Sequence, residues 1–175
     1  FFFFGNTRLE LFRRVVAHPG QTVSDLAAHV NISLPRASQE LRRIQSRGLL
    51  QAVRHGLFVQ YRPVPDRSVS TAGPLLQAAQ ETFRRFPQND TILPLAAAFS
   101  HARRLALIQL LLRGPWDIHE LESIAGMSRN TLNRHLHRLR EAGLIRRIGK
   151  KIAIAETDHP LARRLLDLLG ERPDV

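Results

Sequence analysis

Residues 128–151 read SRNTLNRHLHRLREAGLIRRIGKK, and this stretch decides the fold. Its leucines fall on one side of a helix that turns by about 100° per residue: Leu132, Leu136 and Leu139. Ser128 occupies the position of an N-cap, and Gly143 stands where a helix commonly ends. Short apolar runs then lie on either side of a Gly-Lys-Lys tip. The stretch therefore predicts a capped helix followed by a hairpin with a basic tip.

The side of this helix opposite the leucines is rich in Arg, Asn and His. Such a face beside a basic hairpin is suited to the major groove of DNA and to the flanking phosphates. The alternative is an ordinary solvated surface, which most polar helix faces are.

The same pattern occurs earlier in the chain. When the numbering is shifted by 95, residues 33–49 align with residues 128–144 without a gap. The matching pairs include Ser33 with Ser128, Leu41 with Leu136, Arg43 with Arg138 and Gly48 with Gly143. Because the cap, the apolar seam and the final Gly-Leu coincide at one offset, we expect a duplication.

Each copy is expected to form helix, helix, turn, helix and hairpin, so the fold class is mainly α with small β-hairpins. Two positions have capping-box spacing, Thr22 with Asp25 and Asp117 with Glu120. The expected organisation is a first domain at 1–65, a linker at 66–98 with a helix at about 74–86, and a second domain at 99–175. Further expectations are one helix over 91–113 bent at Pro94, and Asp158 as the N-cap of the last helix.

The chain carries a net charge of +11, from 26 basic and 15 acidic residues. Residues 1–65 hold a net charge of +6 and residues 99–175 hold +5, whereas residues 66–98 are neutral. Two basic modules joined by a neutral connector suggest a polyanionic partner. The absence of Cys favours a cytoplasmic setting, and no apolar run is long enough to predict a membrane span.

Both copies resemble the winged helix-turn-helix of the ArsR-type regulators of bacteria and archaea. In that family the third helix commonly begins with Ser, has Thr or Ser three positions later, and continues with His-Leu and a further Leu. The second copy keeps this pattern with Ser128, Thr131, His135, Leu136 and Leu139. The first copy departs from it because Glu40 takes the place of His.

The resemblance implies a DNA-binding regulator whose partner is double-stranded DNA. In the second copy, it implies base contacts from Arg129, Asn130, Asn133, Arg134 and His137, and phosphate contacts from Arg138, Lys150 and Lys151. In the first copy, the corresponding residues are Arg36, Ser38, Gln39 and Arg42 for bases, with Arg43 and Arg54 for phosphates. Arg pairs naturally with guanine, and Asn with adenine.

Metal binding and catalysis are not expected, so no cofactor is predicted. His135 and His137 are two positions apart on a helix and point in nearly opposite directions, which prevents them from sharing an ion. Asp158 and His159 have no further ligand at a suitable spacing. No nucleophile elbow, zinc-protease motif, phosphate loop or dinucleotide fingerprint occurs, so the chain is not expected to be an enzyme.

Two further questions stay open from the sequence. Tandem winged-helix modules also act as protein-binding surfaces, as in bacterial chromosome-segregation complexes, and that is the rival function. For assembly, we expect an intramolecular pseudo-dimer through helices at 74–86, 91–99 and 158–169. A homodimer is the alternative, because Phe1 to Phe4 would form an apolar patch if left uncovered.

Overall fold

The structure, a computed structural model, describes residues 5–171. These residues are mainly helical with small antiparallel hairpins, as the sequence predicts. They form two compact units, residues 5–89 and residues 90–171, so the residues expected to form a linker are divided between them. The segment Phe1 to Phe4 lies outside the described residues.

The first unit packs its first three helices around one apolar core. Its elements are α1 (Asn6–Ala17), α2 (Val23–Val30), α3 (Leu34–Gln45), β1 (Gln51–His55), β2 (Phe58–Arg62) and α4 (Ala72–Arg85). Side chains at helical spacing are buried from each of the three: Leu9, Phe12, Leu26, Leu41 and Ile44. Helix α2 starts with the predicted capping box, in which Asp25 N donates to Thr22 Oγ1 at 3.2 Å.

The hairpin of the first unit is extended by the segment that precedes α2. Strands β1 and β2 pair from Gln51–Arg62 to His55–Phe58. Gly20 N donates to Tyr61 O at 3.0 Å. This hydrogen bond joins β2, at the end of the hairpin far from its tip, to the segment between α1 and α2.

Helix α4 is fastened to α1 by Arg13. The Arg13 Nη1 atom donates to the carbonyls of Phe83 at 3.2 Å and Phe86 at 2.9 Å, and the guanidinium lies 4.4 Å from the Phe83 ring centroid. Carbonyls in the last turn of a helix have no intrahelical donor, so Arg13 satisfies groups that α4 leaves open. Burial lowers the pKa of Arg13 from its usual value. Asn89 Nδ2 also donates to Asn6 Oδ1 at 3.3 Å.

The second unit begins with an additional helix, contains a three-stranded sheet and, like the first, ends in a helix after the hairpin. Its elements are α5 (Ile92–Ala98), α6 (Ala102–Leu112), β3 (Trp116–Asp117), α7 (Ile118–Ala125), α8 (Arg129–Glu141), β4 (Ile145–Ile148), β5 (Lys151–Ile154) and α9 (Pro160–Gly170). The strands are antiparallel in the order β3-β5-β4. The predicted capping box also starts α7, where Asp117 Oδ1 accepts from Glu120 N at 2.9 Å. The sequence does not predict β3, because two residues are too few to show alternation.

The predicted bend at Pro94 is wrong, because the chain breaks after Ala98. Pro94 lies in the first turn of α5, where an amide hydrogen is not needed. The carbonyl of Ala98 instead accepts from Arg104 Nε at 3.1 Å, and His101 Nδ1 accepts from Arg103 N at 3.2 Å to start α6. Within residues 5–171 no single helix has the length and apolarity of a membrane span; α5 and α6 reach them only together, bent by 93°.

The predicted N-cap of the last helix is also wrong by one residue. His159 is the N-cap of α9, and its Nδ1 atom accepts from Ala162 N at 3.3 Å. Pro160 occupies the first helical position, which fixes the cap at the residue before it and leaves Asp158 outside.

Candidate nucleic-acid interface

Helix α8 has one buried side and one exposed side. The three predicted seam leucines are at most 2% exposed. Ser128 precedes the helix with extended backbone, but its hydroxyl donates to Thr131 Oγ1 at 3.1 Å and caps no amide. Gly143, with a φ of 68°, follows the end of the helix as expected. The seam therefore fixes which side chains of α8 face outward.

Three polar side chains on the outward side of α8 are available to a ligand. Asn130, Asn133 and Arg134 are exposed, and none of them forms a hydrogen bond or ion pair with another described residue. Asn130 and Arg134 are four positions apart and so lie above one another on the helix. Amide and guanidinium groups each present donors in fixed directions, as base edges require.

Three other predicted positions on α8 contact carboxylates at the surface. Arg129 Nη2 lies 2.6 Å from Glu122 Oε2. His137 Nε2 and Arg138 Nη1 both face Glu141, at 3.3 Å and 3.0 Å from its two carboxylate oxygens. Exposed pairs of this kind contribute only about 0–1 kcal/mol, so a phosphate group can compete for these side chains.

The tip of the β4–β5 hairpin is basic. Lys150 and Lys151 are exposed, and Gly149 takes a φ of 60° at the start of the turn. The base of the tip adds Arg146 and Arg147, which are also exposed and are absent from the predicted contacts. The Ile-Arg-Arg-Ile run could have predicted their exposure, because both arginines lie between the apolar residues of a short strand next to the basic tip.

Helix α3 presents the corresponding face in the first unit. Gln39 and Arg42 are exposed and form no hydrogen bond or ion pair within the described part of the chain. Ser38 is half-buried, and Arg36 Nη2 donates to Thr7 Oγ1 on α1 at 3.4 Å. This face is therefore less fully available than that of α8.

Matching positions on α3 and α8 contact an earlier helix by different chemistry, α1 in the first unit and the N-cap of α6 in the second. In the first unit Glu40 accepts from Arg8 Nε and lies 2.7 Å from Arg43 Nη1. In the second unit the matching His135 is 6% exposed, with its ring centroid 4.8 Å from that of His101. Burial, reinforced by neighbouring positive charges, lowers the pKa of His135. The structure thus places His135 in a packed position at the edge of the seam.

The hairpin of the first unit differs from that of the second at its tip. Arg54 is exposed, as a phosphate contact would require. However, Leu57 is 92% and Phe58 60% exposed, which no sequence pattern indicates. The alternation of Leu57 with Val59 and Tyr61 suggests a shared packed side, of which only Tyr61 is fully buried.

The carboxylates whose pKa is lowered hold a helix start or a turn in place. Hydrogen bonds lower the pKa of Asp25 (from Thr22), of Asp66 (from Ser68) and of Asp117 (from the backbone of Glu120). Such groups stay ionised and cap a helix or turn, so they are poorly suited to proton transfer. Within residues 5–171, no group of three or more His, Asp or Glu side chains is placed to hold a metal ion.

Comparison with known proteins finds a family model that matches one part of this surface. The family model described as "Bacterial regulatory protein, arsR family" matches residues 101–147, which run from α6 into β4 and include all of α8. The match supports an ArsR-like helix-turn-helix here and suggests a DNA-binding transcription regulator, a class of regulators and not of enzymes. None of the curated proteins compared with the chain matches it.

Proposed function

We propose that this protein is a sequence-specific transcriptional regulator in which both units are winged helix-turn-helix domains. Helices α3 and α8 act as recognition helices, and the two hairpins act as wings. The observation that carries the proposal is the exposed side of α8, in the stretch similar to the arsR family. There the side chains of Asn130, Asn133 and Arg134 form no hydrogen bond or ion pair with another described residue. The basic wing that follows it supplies phosphate contacts, which position a protein on DNA without reading sequence.

The first unit is included because its helices α1, α2 and α3 repeat α6, α7 and α8 at an offset of about 95. Helices Val23–Val30 and Ile118–Ala125 lie 95 positions apart, and each starts with a capping box. Each ends on a left-handed residue, Asn31 with a φ of 55° and Gly126 with a φ of 59°. The segment before the helix also pairs with the second wing strand in both units, through an isolated Thr22–Gln60 bridge in the first and through β3 in the second. Coincidence of caps, turns and pairing favours a tandem arrangement over one domain with an unrelated partner.

The two recognition helices are expected to read different sequences. At three matched positions, α3 carries Pro35, Gln39 and Glu40, whereas α8 carries Asn130, Arg134 and His135. Packed as an intramolecular pseudo-dimer through the helices at 74–86, 91–99 and 158–169, the two domains would contact an asymmetric site. Covalent linkage raises the effective concentration of one domain beside the other.

The test is binding to duplex DNA over a range of salt concentrations, followed by selection from a random library. Because phosphate contacts release counterions, log affinity should fall linearly with log salt, by about 0.9 per contact. Selection should then recover a defined sequence. The rival protein-binding module predicts no duplex binding even at low salt, and binding without any selected sequence would remove the regulatory role.

A further inference from the structure

The two wings share one turn geometry, but the tip of the first is apolar and the tip of the second is positively charged. Each has a two-residue loop that starts with a left-handed glycine, Gly56 with a φ of 59° and Gly149 with a φ of 60°. After the glycine the first wing has Leu57 and Phe58, where the second has Lys150 and Lys151. The same backbone thus places two apolar side chains where the other wing places two ammonium groups.

The apolar tip is exposed and projects further than the basic one. Leu57 is 92% exposed and Phe58 is 60% exposed. Gly56 comes eight residues after Gly48, whereas Gly149 comes six residues after the matching Gly143. Two further residues extend a strand by roughly 6–7 Å. The first wing therefore reaches further from its recognition helix than the second.

The surroundings of this tip are strongly positive. Residues 41–65, which span the last five residues of α3 and the whole wing, contain no Asp or Glu. Their basic residues are Arg42, Arg43, Arg47, Arg54 and Arg62. An apolar tip on a positive, acid-free arm is complementary to a polyanion that has an apolar interior, and duplex DNA with its stacked bases has both properties.

We propose that Leu57 and Phe58 form a wedge that enters the minor groove and partly opens one base step. This inference rests on the proposed DNA-binding function and adds a deformation to it. Leu and Phe side chains inserted in this way unstack a step and kink the duplex towards the major groove. The wedge therefore favours flexible pyrimidine–purine steps on the side of the first domain, whereas Lys150 and Lys151 hold phosphates without distorting the duplex.

The experiment uses the full chain and a duplex selected for binding. Adenines are replaced one at a time by 2-aminopurine, which brightens when it is unstacked, and dyes at the two ends report bending. The variants are Leu57→Ser with Phe58→Ser, and the matched control Ile148→Ser, which alters a 48% exposed side chain beside the other tip. Circular dichroism checks that each variant is folded.

With the unaltered chain we expect a several-fold rise in 2-aminopurine fluorescence at one step, together with a bend. The double Ser variant should lose both signals and bind roughly tenfold more weakly, while the control keeps all three properties. If the chain binds without distorting the duplex, or if the distortion survives the double substitution, the wedge proposal is wrong. The proposal that the protein is a DNA-binding regulator is unaffected by either result. Absence of duplex binding by the unaltered chain overturns both. A change in sedimentation in the double variant, with DNA distortion intact, would make the tip an interface between copies and also overturn the wedge.

Discussion

At the scale of single residues, the proposed interface separates side chains that read bases from side chains that hold phosphates. Replacing Asn133 or Arg134 with Ala should relax sequence preference and cost roughly 1–3 kcal/mol on the selected site. Replacing Lys150 and Lys151 with Ala should weaken binding to every duplex and reduce the salt slope by about one for each phosphate that is no longer neutralised. Affinities on the selected and a scrambled duplex measure both effects. Equal losses on both duplexes from all four substitutions would contradict the assigned roles.

His135 is expected to make the stability of the second unit depend on pH. Its pKa is lowered in the folded state by burial and then by His101, Arg104, Arg134 and Arg103, so the unfolded chain binds a proton more readily. The free energy of unfolding should therefore be highest above the ordinary pKa of about 6.5 and fall as the pH drops towards the lowered value. The single tryptophan, Trp116, lies in this unit and reports its unfolding.

The matching substitutions are His135→Gln and, as a control, His55→Gln at the exposed end of β1 in the first unit. As the pH falls through the ordinary pKa of about 6.5, His135→Gln should lose less stability than the unaltered chain, because it removes the proton that the unfolded state takes up. The control should keep the original pH dependence. An unchanged pH dependence in His135→Gln would show that another group is responsible.

At the scale of elements, the two glycines that follow α3 and α8 should differ in their tolerance to a side chain. Both have positive φ, 76° at Gly48 and 68° at Gly143. A Cβ at Gly48 would lie 3.0 Å from Ala72 Cβ and 3.1 Å from Val69 Cβ, whereas no described atom lies within 4 Å of one at Gly143. Both Ala substitutions should cost about 1–2 kcal/mol for the left-handed backbone, and Gly48→Ala about 1–3 kcal/mol more for overpacking. Hydrogen exchange in α3 and α8 measures each cost, and equal costs would refute the difference.

The sequence predicts those elements whose signals are local. The capping boxes at Thr22 and Asp117 and the apolar seam of α8 depend on residues within one or two turns, and the structure confirms them. The break after Ala98 is not predicted because it depends on side-chain hydrogen bonds such as that of Arg104. The sequence predicts the bend at Pro94 instead, because Pro is the residue most often found at a kink.

The candidate site shows the same limit. The outward direction of Asn130 and Arg134 follows from helical periodicity, and the structure places both on the exposed side. The ion pair of Arg129 with Glu122 joins two helices, and spacing alone does not predict it. Nor does alternation show that the first wing leaves Leu57 uncovered, because alternation orders the two sides of a strand without saying whether anything packs on either.

At the scale of the whole molecule, the proposed tandem arrangement predicts one chain on one asymmetric site. Light scattering of the complex should give a single chain per duplex, and footprinting should show two protected segments of different sequence about one DNA turn apart. The differences between α3 and α8 are the reason, since Gln39 and Arg134 present different groups at matched positions. A dimer of the chain that protects a perfect palindrome would contradict the intramolecular pairing.

The hydrogen bond between Asn6 and Asn89 has a consequence for how such a chain can arise and change. It holds the first and last described segments of the first unit side by side, at 3.3 Å between the amide groups, and Arg13 adds a second fastening close to it. A segment whose ends meet can be copied, removed or inserted elsewhere in a gene as one piece, because rejoining the neighbouring chain leaves little distance to span. The first unit is therefore expected to tolerate transfer between genes as one piece, and its closure depends on residues that belong to no part of the proposed DNA surface.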